Sequence, residues 1–370
     1  MELFKDAYFS KSGMLVGKEL NHCFDCAYCR VHNGELLDYT KYLPSDLNPV
    51  FAYIPVLVNL FYGDPTLQVN ETIQILDRLE KVEHRGPVII ITKGDMNVFK
   101  NVWHKYKLDI HFGISTFGLN SKFDGANIER FERNLNICKE MGVNYSIEFR
   151  PIIKNINDSD EVFKYVVSVA KKHNVGIGYC GLQVSEETRE RLKREGIEFE
   201  PYNEKVGFGL KKFISKERDN ALRTIAHEAG VNVFRKTSCL IATASEEADY
   251  NAHYYRPNEV GCPDCPNQKI CEEYKKNLFE KPDRGELIDI PFKYELVDKV
   301  DHVCTLYQNG LCQFPSHDCM HISGKMIKID EEITTTDVRL IKWLTGYTVD
   351  AKFIEEPYMS KAWIRNEHIL

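Results

Sequence analysis

The sequence predicts an α/β fold, a partial (β/α)6 TIM-like barrel followed by a loop-rich cysteine module, and three observations predict it. From about Met14 to Phe234 short apolar runs alternate with amphipathic segments, the pattern of repeated β-α units around a parallel sheet. The 370-residue chain is long enough for one large domain of about 200 residues and a smaller one. From Cys239 to Met320 the periodicity fades, Gly, Pro, Asn and Asp rise, and seven of the twelve cysteines appear. Metal, rather than a large core, is expected to hold that part together.

In order, the candidate strands are Met14–Leu20, Pro55–Leu60, Val88–Thr92, Ile110–Ser115, Tyr145–Ile153 and Val175–Leu182. Ile128, Phe131, Leu135 and Cys138 fall on one helical stripe, and Phe163, Val166, Val167 and Ala170 on another. Six β-α units are fewer than the eight of a closed barrel, so the barrel is expected to be partial, with its chemistry at the C-terminal strand ends. The expected division is a barrel over 1–235, a cysteine-rich module over 236–330 and a helical or irregular extension over 331–370. Within the extension, Val338–Leu344 reads as one capped helix.

A net charge of −7 gives no footprint for duplex nucleic acid, though it leaves room for a local basic groove. The first thirteen residues lack the basic and apolar regions of a signal peptide, and the longest apolar stretch, Val50–Tyr62, is too short to span a bilayer. A cytoplasmic protein with no membrane association is expected. In a reducing compartment cysteines are for metal, catalysis or burial rather than disulfides.

Cys23, Cys26 and Cys29 form a C-x2-C-x2-C run directly after the first strand. A bacterial ferredoxin would continue with x3-C-P, and here that position is Asn33. Three thiolates without a local fourth suit a [4Fe-4S] cube with one open iron. Structural zinc, the alternative, takes four ligands and usually draws them as two pairs.

This run resembles the cluster loop of the radical S-adenosylmethionine (SAM) superfamily, whose spacing is C-x3-C-x2-C. This chain is one residue shorter, with His22 in the place of the usual first cysteine. Either Cys23 is the ligand in a tightened loop or His22 replaces it, and thiolate is the habitual ligand. The resemblance implies further site residues. Tyr28, before the last cysteine, would lie near the adenine. Gly63, Asp64 and Pro65 in Phe61-Tyr-Gly-Asp-Pro65 resemble the Gly-Gly-Glu-Pro motif that grips the methionine amino group, with Asp64 for Glu. Read from composition alone, the same residues are an ordinary turn. Lys93 and Ser115 resemble the lysine and serine that meet the methionine carboxylate and nearby polar atoms in the spore photoproduct lyase branch. The segment Pro151-Ile-Ile-Lys-Asn-Ile-Asn-Asp158 resembles that branch's Pro-Ile-Ile-Pro-Gly-x-Asn-Asp signature, and Arg150 before it is a candidate for the cofactor carboxylate or the substrate. The branch's hydrogen-donating cysteine after strand two is missing, so photoproduct repair is disfavoured. Cys180, near the end of strand six, is a candidate to act on a radical, though burial is the commoner fate of such a thiol.

Cys262, Cys265 and Cys271 form C-x2-C-x5-C, preceded by Cys239. The spacing resembles the core of SPASM-type auxiliary-cluster domains, which implies an auxiliary [4Fe-4S] cluster on these four, with zinc the alternative. Cys304, Cys312 and Cys319, with His302, His317 and His321 nearby, are candidates for a second site. His104 and His173 are expected to face solvent.

The expected activity is reductive cleavage of SAM to a 5'-deoxyadenosyl radical that takes hydrogen from a peptide or small-molecule substrate, with flavodoxin or ferredoxin as electron donor. A nucleic-acid base enzyme and a non-enzymatic zinc-binding interaction protein are the alternatives.

Overall fold

The structure, a computed structural model, describes residues 8–10, 13–16, 24, 26–28, 55–58, 63–125, 127–183, 186–197, 205–207, 212–246, 248, 265–271, 273, 293–298, 325–334 and 348–354. A short antiparallel pair, β1 (Tyr8–Ser10) and β2 (Gly13–Val16), starts the main sheet. From β2 it runs in parallel through β3 (Val56–Val58), β4 (Val88–Thr92), β5 (Ile110–Thr116), β6 (Asn144–Ile152) and β7 (Ile177–Gln183). All six predicted strands are therefore present, in chain order across the sheet. They form an α/β partial barrel.

Beyond β7 the sheet divides. The hairpin of β8 (Lys205–Gly207) and β9 (Lys212–Ser215) pairs antiparallel with the end of β7, while the two-residue β10 (Val233–Phe234) pairs in parallel with its start.

The alternation of β-branched residues sends side chains to two faces. Val56, Val58, Val88, Ile90, Phe112, Ile114, Ile147 and Phe149 point toward the covering helices. These are α1 (Val69–Lys81), α2 (Ile128–Met141), α3 (Asp160–His173) and α5 (Lys216–Ala229), with α4 (Glu186–Arg194) following β7. The predicted stripes are the buried ones, since Phe131, Leu135 and Cys138 of α2 and Phe163, Val166 and Ala170 of α3 join this core. Side-chain caps start three helices: Asn127 accepts from Arg130 N at 2.9 Å, Ser159 from Val162 N at 3.3 Å and Ser215 from Arg218 N at 3.1 Å. Each cap contributes about 1 kcal/mol and each fully buried apolar side chain about 2 kcal/mol, so packing against the sheet, more than capping, holds these helices. Between β4 and β5 the link is two 3₁₀ turns, Met96–Phe99 and Trp103–Lys105, rather than an α-helix.

The opposite, inner face carries Leu57, Ile89 and Ile91, and these pack under Ile241 of α6 (Thr237–Ala244). This helix corrects the expectation of irregular chain from Cys239. Its sequence, TSCLIATA, is short and apolar around most of its circumference, so it shows no amphipathic period.

A separate three-stranded sheet joins β11 (Tyr294–Asp298), β12 (Lys325–Thr334) and β13 (Thr348–Ile354). Strand β12 runs through residue 330, where a boundary was expected, and the described part of 331–370 is strand rather than helix or irregular chain. Ile327 and Ile329 alternate with exposed Lys328 and Asp330, a period of two that ends in a register shift before Glu332. The expected helix at Val338–Leu344 lies outside the described residues.

His173 is a second correction. It ends α3 but is buried, its Nδ1 3.2 Å from the Tyr145 hydroxyl, whereas His104 is exposed as expected. No helix among the described residues is long and apolar enough to cross a membrane.

Candidate active site at the strand ends

Parallel strands place the residues after their C-terminal ends along one edge. The residue that follows β4 is Lys93. Beyond β5 the chain turns at Gly118, with φ +81°, into a loop containing Asp124. Asp124, buried, is where these segments meet. Its Oδ1 accepts from Lys93 Nζ at 2.5 Å, from the Tyr28 hydroxyl at 2.7 Å and from the Cys26 thiol at 3.2 Å. Lys93 Nζ also bonds the Tyr28 hydroxyl and lies 4.9 Å from that ring's centroid. The Tyr28 ring stacks on Phe117, the residue after β5, at 5.5 Å and 11°. The backbone completes the docking: Gly125 N–H donates to Cys26 Sγ at 3.3 Å and Ala27 N–H to the Phe123 carbonyl at 3.0 Å.

The electrostatics follow from this enclosure. Burial pushes the Cys26 thiol up to about 11, with the Lys93 charge opposing and Asp124 reinforcing. Burial also raises the Tyr28 hydroxyl well above its usual range, with Cys26 and Asp124 adding to it. A polar cleft of about 510 Å³ adjoins, lined by Asn120, Lys122, Asp124, Gly125, Asn127 and Arg130.

Asp64 is a strut between β3 and β4. Its Oδ1 accepts from Thr66 N at 2.9 Å, Thr66 Oγ1 at 2.6 Å and Thr92 Oγ1 at 2.5 Å, and Oδ2 from Lys93 N at 2.8 Å. One lone pair of Oδ2 is left for any further donor. The neighbouring Gly63 has φ +124°, and the Pro65 carbonyl accepts from Thr72 Oγ1 at 3.1 Å.

The other predicted residues lie on the inner face. Arg150 of β6 pairs with Glu148 on the same strand, and its Nη2 donates to Thr237 Oγ1 of α6 at 2.5 Å. Glu148 is fully buried and fits because β7 carries Gly178 beside it, where a Cβ would stand 2.6 Å from Glu148 Oε2. Ser115, buried, is register partner of Glu148. Cys180, two residues past Gly178, is buried, and burial lowers the pKa of the Arg150 guanidinium while the neighbouring Cys180 opposes that shift. Deeper on this face, His111 Nε2 lies 2.9 Å from Ser146 Oγ.

The predicted residues thus form two groups, Cys26–Tyr28–Lys93 and Ser115–Arg150–Cys180, with Asp64 behind Lys93. Asp124, Glu148 and Thr237 were not among the predicted site residues. Asp124-Gly125 carried only a turn signal, and Glu148 was visible as a charged residue inside an apolar strand.

Cys26 fits an iron-bound thiolate, for a backbone N–H already points at its sulfur and an ammonium lies close by. Cys23, Cys29, Cys262, Cys304, Cys312 and Cys319 lie outside the described residues. Of the remaining cysteines, Cys239 sits half-buried on α6, Cys265 is half-buried and Cys271 buried. Among the described residues no group of three or more His, Cys, Asp or Glu side chains could hold a metal ion.

No family model and no curated protein matches the chain. Its structure is similar to that of Streptococcus suis SuiB bound to S-adenosylmethionine, at 15% identity and TM-score 0.40 over 65% of this chain and 55% of SuiB. It is also similar to a mutant spore photoproduct lyase, at 11% identity and TM-score 0.46 over 63% of this chain and 79% of that one. The chain spans little more than half the length of SuiB.

Proposed function

We propose that the protein is a cytoplasmic radical SAM enzyme acting on a peptide or small molecule. The observation that carries this reading is the docking of the cysteine run onto the strand ends, with Cys26 and Tyr28 held by Asp124 and Lys93 at the edge where α/β barrels do their chemistry. Cys23, Cys26 and Cys29 would hold a [4Fe-4S] cluster. When bound, that group supplies one electron to SAM, giving methionine and a 5'-deoxyadenosyl radical.

The chain's own residues bind and orient. The Lys93 ammonium has three N–H groups, and with Asp124 and Tyr28 meeting two of them one is left for the methionine carboxylate. Tyr28, clamped between Phe117 and Lys93, offers a fixed aromatic edge for the adenine. On the inner face Arg150, held by Glu148 and Thr237, is directed at the substrate, with Cys180 next to it. The cysteine pairs of the C-terminal module favour a peptide or small-molecule substrate through their resemblance to SPASM-type domains. One or two auxiliary [4Fe-4S] clusters, and a flavodoxin or ferredoxin as electron donor, belong to the same proposal.

The test is anaerobic reconstitution with iron and sulfide, followed by reductant and SAM. Formation of 5'-deoxyadenosine by the wild type and its loss in Cys26→Ala are expected. Colourless protein that takes up zinc but no iron, or undiminished 5'-deoxyadenosine from Cys26→Ala, would overturn the assignment.

A further inference from the structure

Among the described residues, three polar side chains of the cysteine loop and the strand end converge on one carboxylate. Asp124 Oδ1 meets a thiol from residue 26, a phenol from residue 28 and an ammonium from residue 93, which lie 98, 96 and 31 positions away in sequence. A neutral acceptor could satisfy the same donors, so a buried negative charge 3.2 Å from a ligand sulfur needs its own account. A cluster thiolate cannot donate to Asp124 as the thiol does, and the carboxylate then faces sulfur as charge against charge. Two features oppose that repulsion: the Gly125 N–H at 3.3 Å from the sulfur and the Lys93 ammonium at 2.5 Å from the carboxylate.

We propose that Asp124 is a positioning residue for the cluster at Cys26, docking the cysteine loop onto the strand ends and, with Lys93 as its counter-charge, setting how readily the cluster accepts its electron. This rests on the radical SAM reading. The potential of an iron-sulfur cluster follows the net charge and hydrogen bonds around its sulfurs. Removing Asp124 leaves the Lys93 charge unopposed and favours the reduced cluster. Removing Lys93 leaves the carboxylate unopposed and does the reverse. The same carboxylate also keeps the lysine on the cysteine side of β4.

The experiment is a redox titration of the anaerobically reconstituted full chain, without SAM, followed by electron paramagnetic resonance. The signal that Cys26→Ala lacks identifies the cluster in question. Asp124→Asn, which keeps the shape of the side chain, is expected to raise the reduced-to-oxidised ratio at fixed potential about tenfold, about 59 mV for one electron. Lys93→Met is expected to lower it, and the double variant to return close to wild type. Shifts of the same sign, or no shift, with the cluster loaded would overturn the inference and leave the radical SAM reading standing. If Asp124→Asn fails to load iron, the downward shift in Lys93→Met decides alone, and its absence overturns the inference. Failure of the wild type to load the cluster would overturn both.

Discussion

Asn157 Nδ2 donates to the carbonyl of Phe117 at 2.9 Å, joining the loop after β6 to the end of β5 across 40 residues of sequence. The same amide nitrogen donates to the Pro151 carbonyl at 2.9 Å, and the side-chain oxygen accepts from Ile153 N at 2.6 Å. Asn157 is fully buried, as are Phe117 and Ile153, so these two partners have no water to turn to. Asn157→Ala is expected to lower unfolding free energy by about 2–4 kcal/mol, each abandoned buried group costing on the order of 1 kcal/mol or more. Urea denaturation of the two proteins checks this, and a loss under 1 kcal/mol would contradict it.

His111 should make stability fall in mild acid. Burial draws its pKa from 6.5 down to about 4, so the folded state keeps the ring neutral while the unfolded chain protonates it. The unfolded state then binds the extra proton, and stability drops as pH falls from about 6.5 toward about 4, by up to about 3 kcal/mol from this group. Urea midpoints measured across that range should slope less steeply in His111→Asn. Parallel slopes would exclude His111 as their source.

Glu148 and Arg150 form a pair whose halves cannot be removed singly. Arg150→Met leaves a fully buried carboxylate without its cation and is expected to cost about 3–5 kcal/mol. Adding Glu148→Gln should restore most of that loss. If the double variant is no more stable than the single one, the pair is not the source of the cost.

Gly118 follows β5 at φ +81°, and a Cβ there would stand 2.6 Å from Val162 Cγ1 and 2.9 Å from Phe149 Cε2. Gly118→Ala is expected to cost about 2–4 kcal/mol through backbone strain and overpacking. Val162→Ala should relieve part of the packing cost, read as a favourable coupling in a double-mutant cycle. Additive losses would place the whole effect in the backbone.

The strands were legible because runs such as VIIIT in β4 and the apolar stretch of β5 are bounded by polar turns, and the helix stripes because their apolar period matches 3.6. Lys93 and Tyr28 could be picked out as site candidates one by one, each beside a motif. Their common partner could not. Asp124 sits in an Asp-Gly turn that reads as local geometry, and only the fold brings its partners to it. His173 looked solvent-facing because it closes a basic last turn, Lys171-Lys172-His173, and what buries it is Tyr145 on a neighbouring strand. Helix α6 was missed because eight residues, apolar on most sides, carry no period to read.

Helix α6 also bears on the order in which the molecule can be completed. Leu57 and Ile89 are made early and face inward, yet the side chain that closes over them, Ile241, is made long after β7 has formed. During synthesis Leu57 and Ile89 therefore lack their α6 partner until residue 241 emerges, and apolar side chains without their partners are where nascent chains aggregate or recruit chaperones. A fragment cut at residue 235 would keep strands β1 to β10 and lose Ile241 from the inner face.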